Sequence, residues 1–197
     1  MSRRERKKAQ TREAIIEAAR TLFEQKGYGG TRTREIAEAA GIATGTLFNY
    51  APTKEAVVLL VWKARATSLM ESGLVAASAS DDPLEGILAL FVPIFSFYSE
   101  DLELGRLFLQ QATYAPPNDP EMVALSEGFV ARIAMFLSPH AGLYALHAAI
   151  NVFAAYHTVL TMLLGGRIAD VSAAEHMLRD LLTVQISGWR GGLSTAQ

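Results

Sequence analysis

The chain has 197 residues, half of them hydrophobic, and a formal net charge of −2. This length suits one domain or two small ones with a sizeable core, which excludes extensive disorder. The absence of cysteine excludes disulfides, thiolate catalysis and cysteine-based metal sites. No apolar segment follows the basic N-terminus, and the longest apolar runs fall short of the roughly 20 residues of a membrane span. We therefore expect a soluble, cytoplasmic protein with no membrane partner.

Charge is distributed unevenly along the chain. Residues 1–63 contain 12 Lys and Arg against 7 Asp and Glu, whereas residues 64–197 contain 6 against 13. A basic first third joined to an acidic remainder is typical of a nucleic-acid-binding domain followed by a domain with another function. A solvated basic helix is the alternative interpretation of the charge taken alone.

The apolar pattern predicts about nine helices and no sheet. The first helix covers residues 11–26 and ends at Gly27, where a C-terminal cap belongs. Two short helices follow over roughly 33–40 and 44–50, joined by a turn at Gly41. Pro52 breaks the chain, and Thr53 can cap a fourth helix that begins at Lys54 and runs towards residue 77.

Helix-start signals recur in the rest of the chain. Asp82-Pro83-Leu84-Glu85 combines an N-cap, a first-turn proline and a capping-box glutamate, which predicts a helix to about residue 98 with a kink or break at Pro93. Further helices are predicted over 102–113, 119–137 and 138–164. A capping box at Ser172 predicts a last helix to about residue 189, and we expect the tail 191–197 to be disordered.

Residues 31–54, TRTREIAEAAGIATGTLFNYAPTK, predict a helix-turn-helix and the start of the next helix. Small and medium-sized apolar residues are spaced to pack the two short helices around Gly41. The remaining positions of the second helix carry hydroxyls, an amide and aromatic edges, which bond phosphates and base edges. This pattern favours a second helix that is offered to the major groove of DNA.

The first third of the chain resembles the DNA-binding domain of the TetR family of bacterial transcriptional regulators. The resemblance rests on TREAIIEAARTLFEQKGY, TRTREIAEAAGI, GTLFNY and PTKEA, in this order and spacing. It implies an all-α protein with a three-helix DNA-binding domain over 11–56, a helix-turn-helix at about 32–51 and a C-terminal helical bundle over 57–190. It also implies a homodimer that binds a palindromic operator, usually to repress, and lets go when a small molecule binds the C-terminal domain.

The resemblance also implies DNA contacts at matching positions. Arg34 is the best candidate for bidentate recognition of guanine, and Tyr50 and Lys54 match positions that usually bind phosphate. The basic residues near the N-terminus are expected to form a flexible arm, residues 1–10, that adds salt-dependent affinity. The expected DNA contacts are Arg3, Arg4, Arg6, Lys7, Lys8, Thr33, Arg34, Thr44, Thr46, Phe48, Asn49, Tyr50 and Lys54.

Three residues depart from the family pattern. Ala43 stands where the family often has Ser, so the recognition helix loses its usual N-cap, worth about 1 kcal/mol, unless Thr44 substitutes. Phe48 replaces a common Tyr and removes a hydroxyl. Ala51 stands where the family usually has Phe, so a smaller side chain fills the space between the recognition helix and the next helix. These departures affect individual contacts rather than DNA binding as such.

Most aromatic residues of the chain fall within residues 80–190. They are interpreted either as core packing or as the lining of a largely apolar pocket with a few polar groups that orient a lipophilic ligand. Gln110 or Gln111, Asn151, His157 and Thr161 are polar residues on otherwise apolar helices, and burying them without partners costs free energy. The expected pocket lining is Phe95, Phe108, Tyr114, Phe153 and His157.

The last two predicted helices are apolar over more than a narrow stripe. This additional apolar surface suits a four-helix dimer interface with a second copy of the chain. The alternative is that these helices form a purely intramolecular core. The expected interface residues are Leu146, Ile150, Leu160, Leu164, Met177, Leu181 and Val184.

The sequence gives no support to catalysis, because it lacks a nucleophile–base constellation, a phosphate loop and metal-ligand spacing. We expect no enzyme activity, cofactor or metal, and we interpret the four histidines as surface or satisfied core residues. Two alternatives to a ligand-responsive regulator remain. One is a TetR-like architectural DNA-binding protein regulated by a protein partner. The other is a helical enzyme or binding protein with a degenerate DNA-binding domain.

Overall fold

The computed structural model describes residues 2–113 and 120–193, and the side chains of all of these except 111, 112, 120–126 and 189–193. Every regular element in these ranges is a helix, so the predicted all-α fold is confirmed. The chain divides into two compact units, Met1–Arg65 and Ala66–Gln197. The division falls inside a helix, whereas the sequence placed the domain boundary after residue 56.

The first unit contains α1 (Arg3–Gly30), α2 (Thr33–Ala39), α3 (Thr44–Phe48) and the start of α4 (Lys54–Ser78). The helix α1 begins earlier than the sequence predicted, because Ser2 and Glu5 form a capping box: the Glu5 N–H donates to Ser2 Oγ at 3.2 Å, and the Ser2 N–H donates to Glu5 Oε2 at 2.6 Å. Residues 3–10 are therefore helical where a flexible arm was expected. At 1.5 Å per residue, they extend α1 by about 12 Å.

The end of α1 is built around a glycine and a buried threonine. Gly27 has a φ of 69° inside α1, a left-handed conformation that glycine adopts without a Cβ clash. Thr31 is fully buried, and its Oγ1 donates to the carbonyls of Gly27 at 2.9 Å and Leu22 at 3.2 Å. These bonds tie Thr31 to the C-terminal end of α1.

The core of the first unit joins all four of its helices. Fully or almost fully buried apolar side chains from each helix, and Ala51 between α3 and α4, meet in one cluster, which orients the two short helices of the helix-turn-helix. These residues are Ile15, Ala19, Ile36, Ala37, Leu47, Ala51, Val57 and Val61.

The second unit contains the rest of α4, α5 (Pro83–Ser99), α6 (Leu102–Thr113), α7 (Pro120–Ala141), α8 (Ala145–Leu164) and α9 (Val171–Leu193). The predicted cap of α5 is present, since Asp82 Oδ1 accepts the N–H groups of Leu84 at 2.7 Å and Glu85 at 3.3 Å. The helix continues through Pro93, which is exposed. In the packed bundle, α5 contacts α6, α8 and α9, while α7 packs along α8.

Two helix boundaries differ from the prediction. The sequence placed a break at Ser138-Pro139, but α7 runs through Pro139 to Ala141 and ends where Gly142 takes a φ of 52° in a short 3₁₀ turn, Gly142–Tyr144. The cap of α9 is Asp170 rather than Ser172, because Asp170 Oδ1 accepts the Ala173 N–H at 2.9 Å. The predicted final helix therefore starts slightly earlier, and its last described residue is Leu193.

One stretch, 127–164, is long and apolar enough to cross a membrane by length and composition. In the structure this stretch is not one continuous helix. It comprises most of α7, the 3₁₀ turn and α8, and the two helices pack against each other. Core helices of soluble proteins have the same composition, since their apolar residues are buried by neighbouring helices.

Candidate nucleic-acid interface

The turn between α2 and α3 is a Schellman motif. The Ile42 N–H donates to the Ala37 carbonyl at 3.0 Å, and the Gly41 N–H donates to the Glu38 carbonyl at 3.1 Å. Gly41 has a φ of 67°, which this motif requires at the residue after the cap. The predicted glycine turn is therefore present, and it fixes the angle at which α3 leaves α2.

The short helix α3 is anchored by one residue and exposes several others. Leu47 is completely buried in the core of the first unit, whereas Phe48 is 45% exposed and Asn49 is exposed. Thr44 and Thr46 are half-buried at the N-terminal end. The N-cap position, Ala43, makes no side-chain capping bond, so the expected loss of the cap is seen in the structure.

Arg34 projects from the first turn of α2 into solvent. Its side chain is 81% exposed, and its Nε donates to Glu38 Oε1 at 2.8 Å, one helical turn further on. This ion pair raises the pKa of Arg34 above its ordinary value, chiefly through the hydrogen bond. An exposed ion pair of this kind contributes little to stability, so the guanidinium can leave Glu38 at small cost.

Lys54, at the start of α4, is directed into the protein. Its Nζ donates to the carbonyls of Tyr28 at 2.8 Å and Thr31 at 3.1 Å, and it lies 4.0 Å from the centre of the Tyr28 ring. The Tyr28 hydroxyl in turn donates to Glu55 Oε1 at 2.7 Å. The sequence predicted a phosphate contact for Lys54. In the structure its ammonium group binds backbone carbonyls at the C-terminal end of α1, where positive charge is favoured.

The other expected DNA contacts of the first unit lie at its surface or partly so. Tyr50 is half-buried, and its hydroxyl donates to the Lys8 carbonyl at 3.4 Å. Thr33, the first residue of α2, is half-buried. The five basic residues of the first turns of α1 are all exposed: Arg3, Arg4, Arg6, Lys7 and Lys8.

Of the five residues expected to line a pocket in the second unit, Phe153 and His157 lie in ring contact, with 6.5 Å between their ring centres. Phe95 and Phe108 are buried in the packed core, where Phe95 stacks on Tyr156 with a ring distance of 5.6 Å. Phe153 and His157 are half-buried, and Tyr114 lies outside the described residues. A surface cavity of about 350 Å³ between α6 and α8 does contain His157.

That cavity joins His157 to residues from three segments. His157 Nε2 lies 2.9 Å from Thr113 Oγ1, a hydrogen-bond distance. Two of the polar residues noted in the sequence, Gln110 and Thr161, share the cavity, together with two arginines that the sequence reasoning missed. The lining consists of Arg106, Leu109, Gln110, Thr113, His157, Thr161, Leu164, Gly165 and Arg167.

The residues expected at a dimer interface divide into two groups. Leu160 and Leu164 are buried within the protomer, so they are not available to a second copy. Met177 is half-buried. The remaining apolar side chains are exposed on α8 and α9, and they are Leu146, Ile150, Leu181 and Val184.

Comparison with known proteins identifies the helix-turn-helix unit. The model of the family described as bacterial regulatory proteins, tetR family, matches residues 15–61, from the first core residue of α1 into α4. The first unit is a TetR-family domain. Its match to the transcriptional regulator RutR of Escherichia coli K12 is 41% identical over 59 residues, which cover 30% of this chain and 28% of RutR.

Other comparisons cover a larger share of the chain. The repressor KstR2 of Mycolicibacterium smegmatis is 30% identical over 87 residues, covering 44% of this chain and 42% of KstR2. The chain is also similar in structure to Bacillus subtilis FadR in complex with stearoyl-CoA, with a TM-score of 0.61 at 19% identity over 86% of this chain and 96% of FadR. Thermus thermophilus FadR in complex with lauroyl-CoA gives 0.58 at 27%, over 87% and 93%. Most of this chain therefore shares the fold of these two structures.

Two features of the TetR domain escaped the sequence reasoning, although a local signal existed for one. Glu38 follows Arg34 by four residues, the spacing at which side chains meet on a helix. The contact of Lys54 with Tyr28 and Thr31 spans 26 and 23 residues along the chain. Such a contact depends on how α4 packs against α1, which local spacing does not reveal.

Proposed function

We propose that this TetR-family chain is a ligand-responsive transcriptional repressor that binds a palindromic operator as a homodimer. The observation that carries the proposal is the helix-turn-helix, whose second helix is anchored by Leu47 and leaves its polar face open. A helix of this kind enters the major groove while flanking groups bind phosphate.

The DNA contacts we propose come from three places in the TetR domain. Arg34 reads a base or a phosphate once it leaves Glu38, and Thr44 and Thr46 contact the groove from the start of α3. The exposed cations of residues 3–8 bind phosphates as part of the helix α1. Asn49 and Phe48 are the exposed residues that remain for base contacts.

Dimerisation follows from the small size of the reading element and from the second unit. Because α3 has five residues, one copy reads too few base pairs to be selective, so two half-sites are needed. The exposed apolar side chains of α8 and α9, with Val184 at 75%, provide a face for a second copy. We propose that this face is the dimer interface.

A small molecule in the second unit is proposed to release the operator. The FadR relatives were solved with stearoyl-CoA and lauroyl-CoA, so acyl-CoA compounds are the first class to test on this chain. An acyl chain suits the apolar bundle, whose core includes the stacked rings of Phe91 and Tyr156 at 4.2 Å. The protein would act in the cytoplasm, and we propose regulation rather than catalysis.

A gel-shift experiment with DNA that flanks the chain's own gene tests this function. We expect at least one flanking fragment to be retarded at low salt and released when lauroyl-CoA is added. Retardation of no flanking fragment would contradict DNA binding. Retardation that no acyl-CoA reverses would instead contradict the effector class and leave DNA binding in place.

A further inference from the structure

The surface cavity between α6 and α8 carries two guanidinium groups. Arg106 enters it from α6 and Arg167 from the turn after α8. Among the described residues the lining contains no Asp or Glu, so both cations face a cavity without a carboxylate in that part of the chain. Two arginines close together repel each other unless an anion lies between them.

The guanidinium of Arg106 is held in place by the backbone. Its Nε donates to the Leu164 carbonyl at 2.7 Å, at the last residue of α8. That carbonyl belongs to a helix C-terminus, where positive charge is favoured. The bond uses one donor of Arg106 and fixes the plane of the guanidinium, while its two terminal nitrogens keep further N–H groups that can bind an anion.

The rest of the cavity combines an apolar wall with neutral hydrogen-bonding groups. Leu109 and Leu164 contribute the apolar wall. His157 and Thr113 form a hydrogen-bonded pair at 2.9 Å, and Thr161 Oγ1 donates to the His157 carbonyl at 2.8 Å. At about 350 Å³ the cavity lies at the lower end of the range for small-molecule sites, roughly 300–1,000 Å³.

We propose that this cavity binds an anionic amphiphile, with the carboxylate or phosphate on Arg106 and Arg167 and the aliphatic part against Leu109 and Leu164. Arginine matches both anions because its planar donors pair with two oxygens at once. The regulatory consequence, that this ligand is the effector, rests on the proposed function. The binding itself does not.

Calorimetric titration of the full chain with ten-carbon compounds tests the site. Decanoate and decyl phosphate supply the two anions on the same tail, and decanol supplies the tail without charge. Arg167→Gln removes one guanidinium, and Arg106→Gln removes the other. The control is Arg132→Gln, which removes an exposed arginine of α7 outside the cavity. Thermal melting of each variant confirms that it is folded.

We expect decanoate or decyl phosphate to bind the wild-type chain, and decanol to bind about tenfold more weakly or less. Arg167→Gln should weaken binding of the anion about tenfold, the effect of losing a charge-assisted hydrogen bond, while Arg132→Gln leaves it unchanged. The anion that binds more tightly identifies the headgroup. Equal binding of decanol, or equal effects of Arg167→Gln and Arg132→Gln, would overturn the site.

Gel shifts on the same variants separate this inference from the proposed function. If Arg167→Gln weakens anion binding while the anion leaves DNA binding by the wild-type chain unchanged, the anion site is supported and its role as the effector site is contradicted. If the wild-type chain retards no flanking DNA, the proposed function falls and the calorimetric result still decides the site.

Discussion

Replacing Lys54 with Met distinguishes a positioning role for this lysine from a phosphate contact. The substitution keeps most of the side-chain length and removes the charge. It removes the ammonium donor from the carbonyls of Tyr28 and Thr31, at bonds of 2.8 and 3.1 Å, and the cation from the Tyr28 ring. The Tyr28 carbonyl keeps the Thr31 N–H as a donor at 3.3 Å. The end of α1 and the entry into α2 are both held by these contacts.

The expected loss of stability can be worked from those contacts. A hydrogen bond from a charged donor contributes about 1.5–3 kcal/mol, and the lower figure applies here because Lys54 is only half-buried. An exposed cation–π contact adds about 0.5–1 kcal/mol. Lys54→Met should therefore lower the free energy of unfolding of the TetR domain by about 2–4 kcal/mol. Lys7→Met, at an exposed lysine of α1, should change it by less than about 0.5 kcal/mol.

Tryptophan fluorescence during urea unfolding measures this loss in the full chain. The chain has two tryptophans, and Trp62 is buried in the first unit. In a Trp189→Phe background, Trp62 alone therefore reports on the unit that contains Lys54. The same proteins are then compared in operator binding between about 50 and about 200 mM salt.

Salt dependence provides the second readout. A lysine that binds a phosphate contributes about 0.9 to the slope of log affinity against log salt. We expect Lys7→Met to lower this slope by about that amount and Lys54→Met to leave it unchanged while the variant is folded. If Lys54→Met keeps full stability and lowers the slope, the positioning role is refuted and the phosphate contact predicted from the sequence is correct.

Three further substitutions test the TetR domain. Glu38→Gln should raise operator affinity severalfold in gel shifts, because it frees Arg34 and removes a carboxylate near DNA; unchanged affinity would mean that Arg34 makes no contact. Thr31→Val should lower stability by about 1–2 kcal/mol in urea unfolding, since the carbonyls of Gly27 and Leu22 lose the hydroxyl that donates to them, and a neutral effect would contradict this role. The hydrogen bond from the Tyr28 hydroxyl lowers the pKa of Glu55. The stability that this bond adds is therefore complete above the ordinary pKa of a glutamate, about 4.3, and is lost as the pH falls through the lower pKa of Glu55 in the folded protein. Tyr28→Phe should therefore show a smaller loss of stability on acidification than the wild type, and identical acid profiles would refute the contact.

Local chemistry was sufficient for much of the fold. The turns at Gly27 and Gly41 and the caps at Thr53 and Asp82 all depend on groups within a few residues of each other, and the structure contains each of them. The same reasoning misplaced the break at Pro139. Pro139 lacks the N–H that would bond the Met135 carbonyl, but the Ser138 hydroxyl donates to that carbonyl at 2.8 Å, and α7 continues to the glycine at 142.

The candidate sites depended more on packing between distant segments. Aromatic residues suggested a pocket, yet Phe95 stacks on Tyr156 in the core, and sequence periodicity does not distinguish a ring that lines a cavity from one that fills it. Arg106 and Arg167 lie 61 positions apart, and they share a cavity only because α6 packs beside the end of α8. The DNA-binding surface was easier to predict because its residues are consecutive in one motif.

Footprinting of the full chain on DNA that flanks its own gene tests the central claim most directly. If the chain binds as a TetR-type dimer, it will protect two symmetric half-sites whose centres lie about 34–36 Å, or a multiple of that distance, apart. Arg34→Ala should weaken both half-sites equally, because each copy presents the same residue. A single unpaired protected site, or protection that spreads over unrelated DNA without a repeat, would contradict the account.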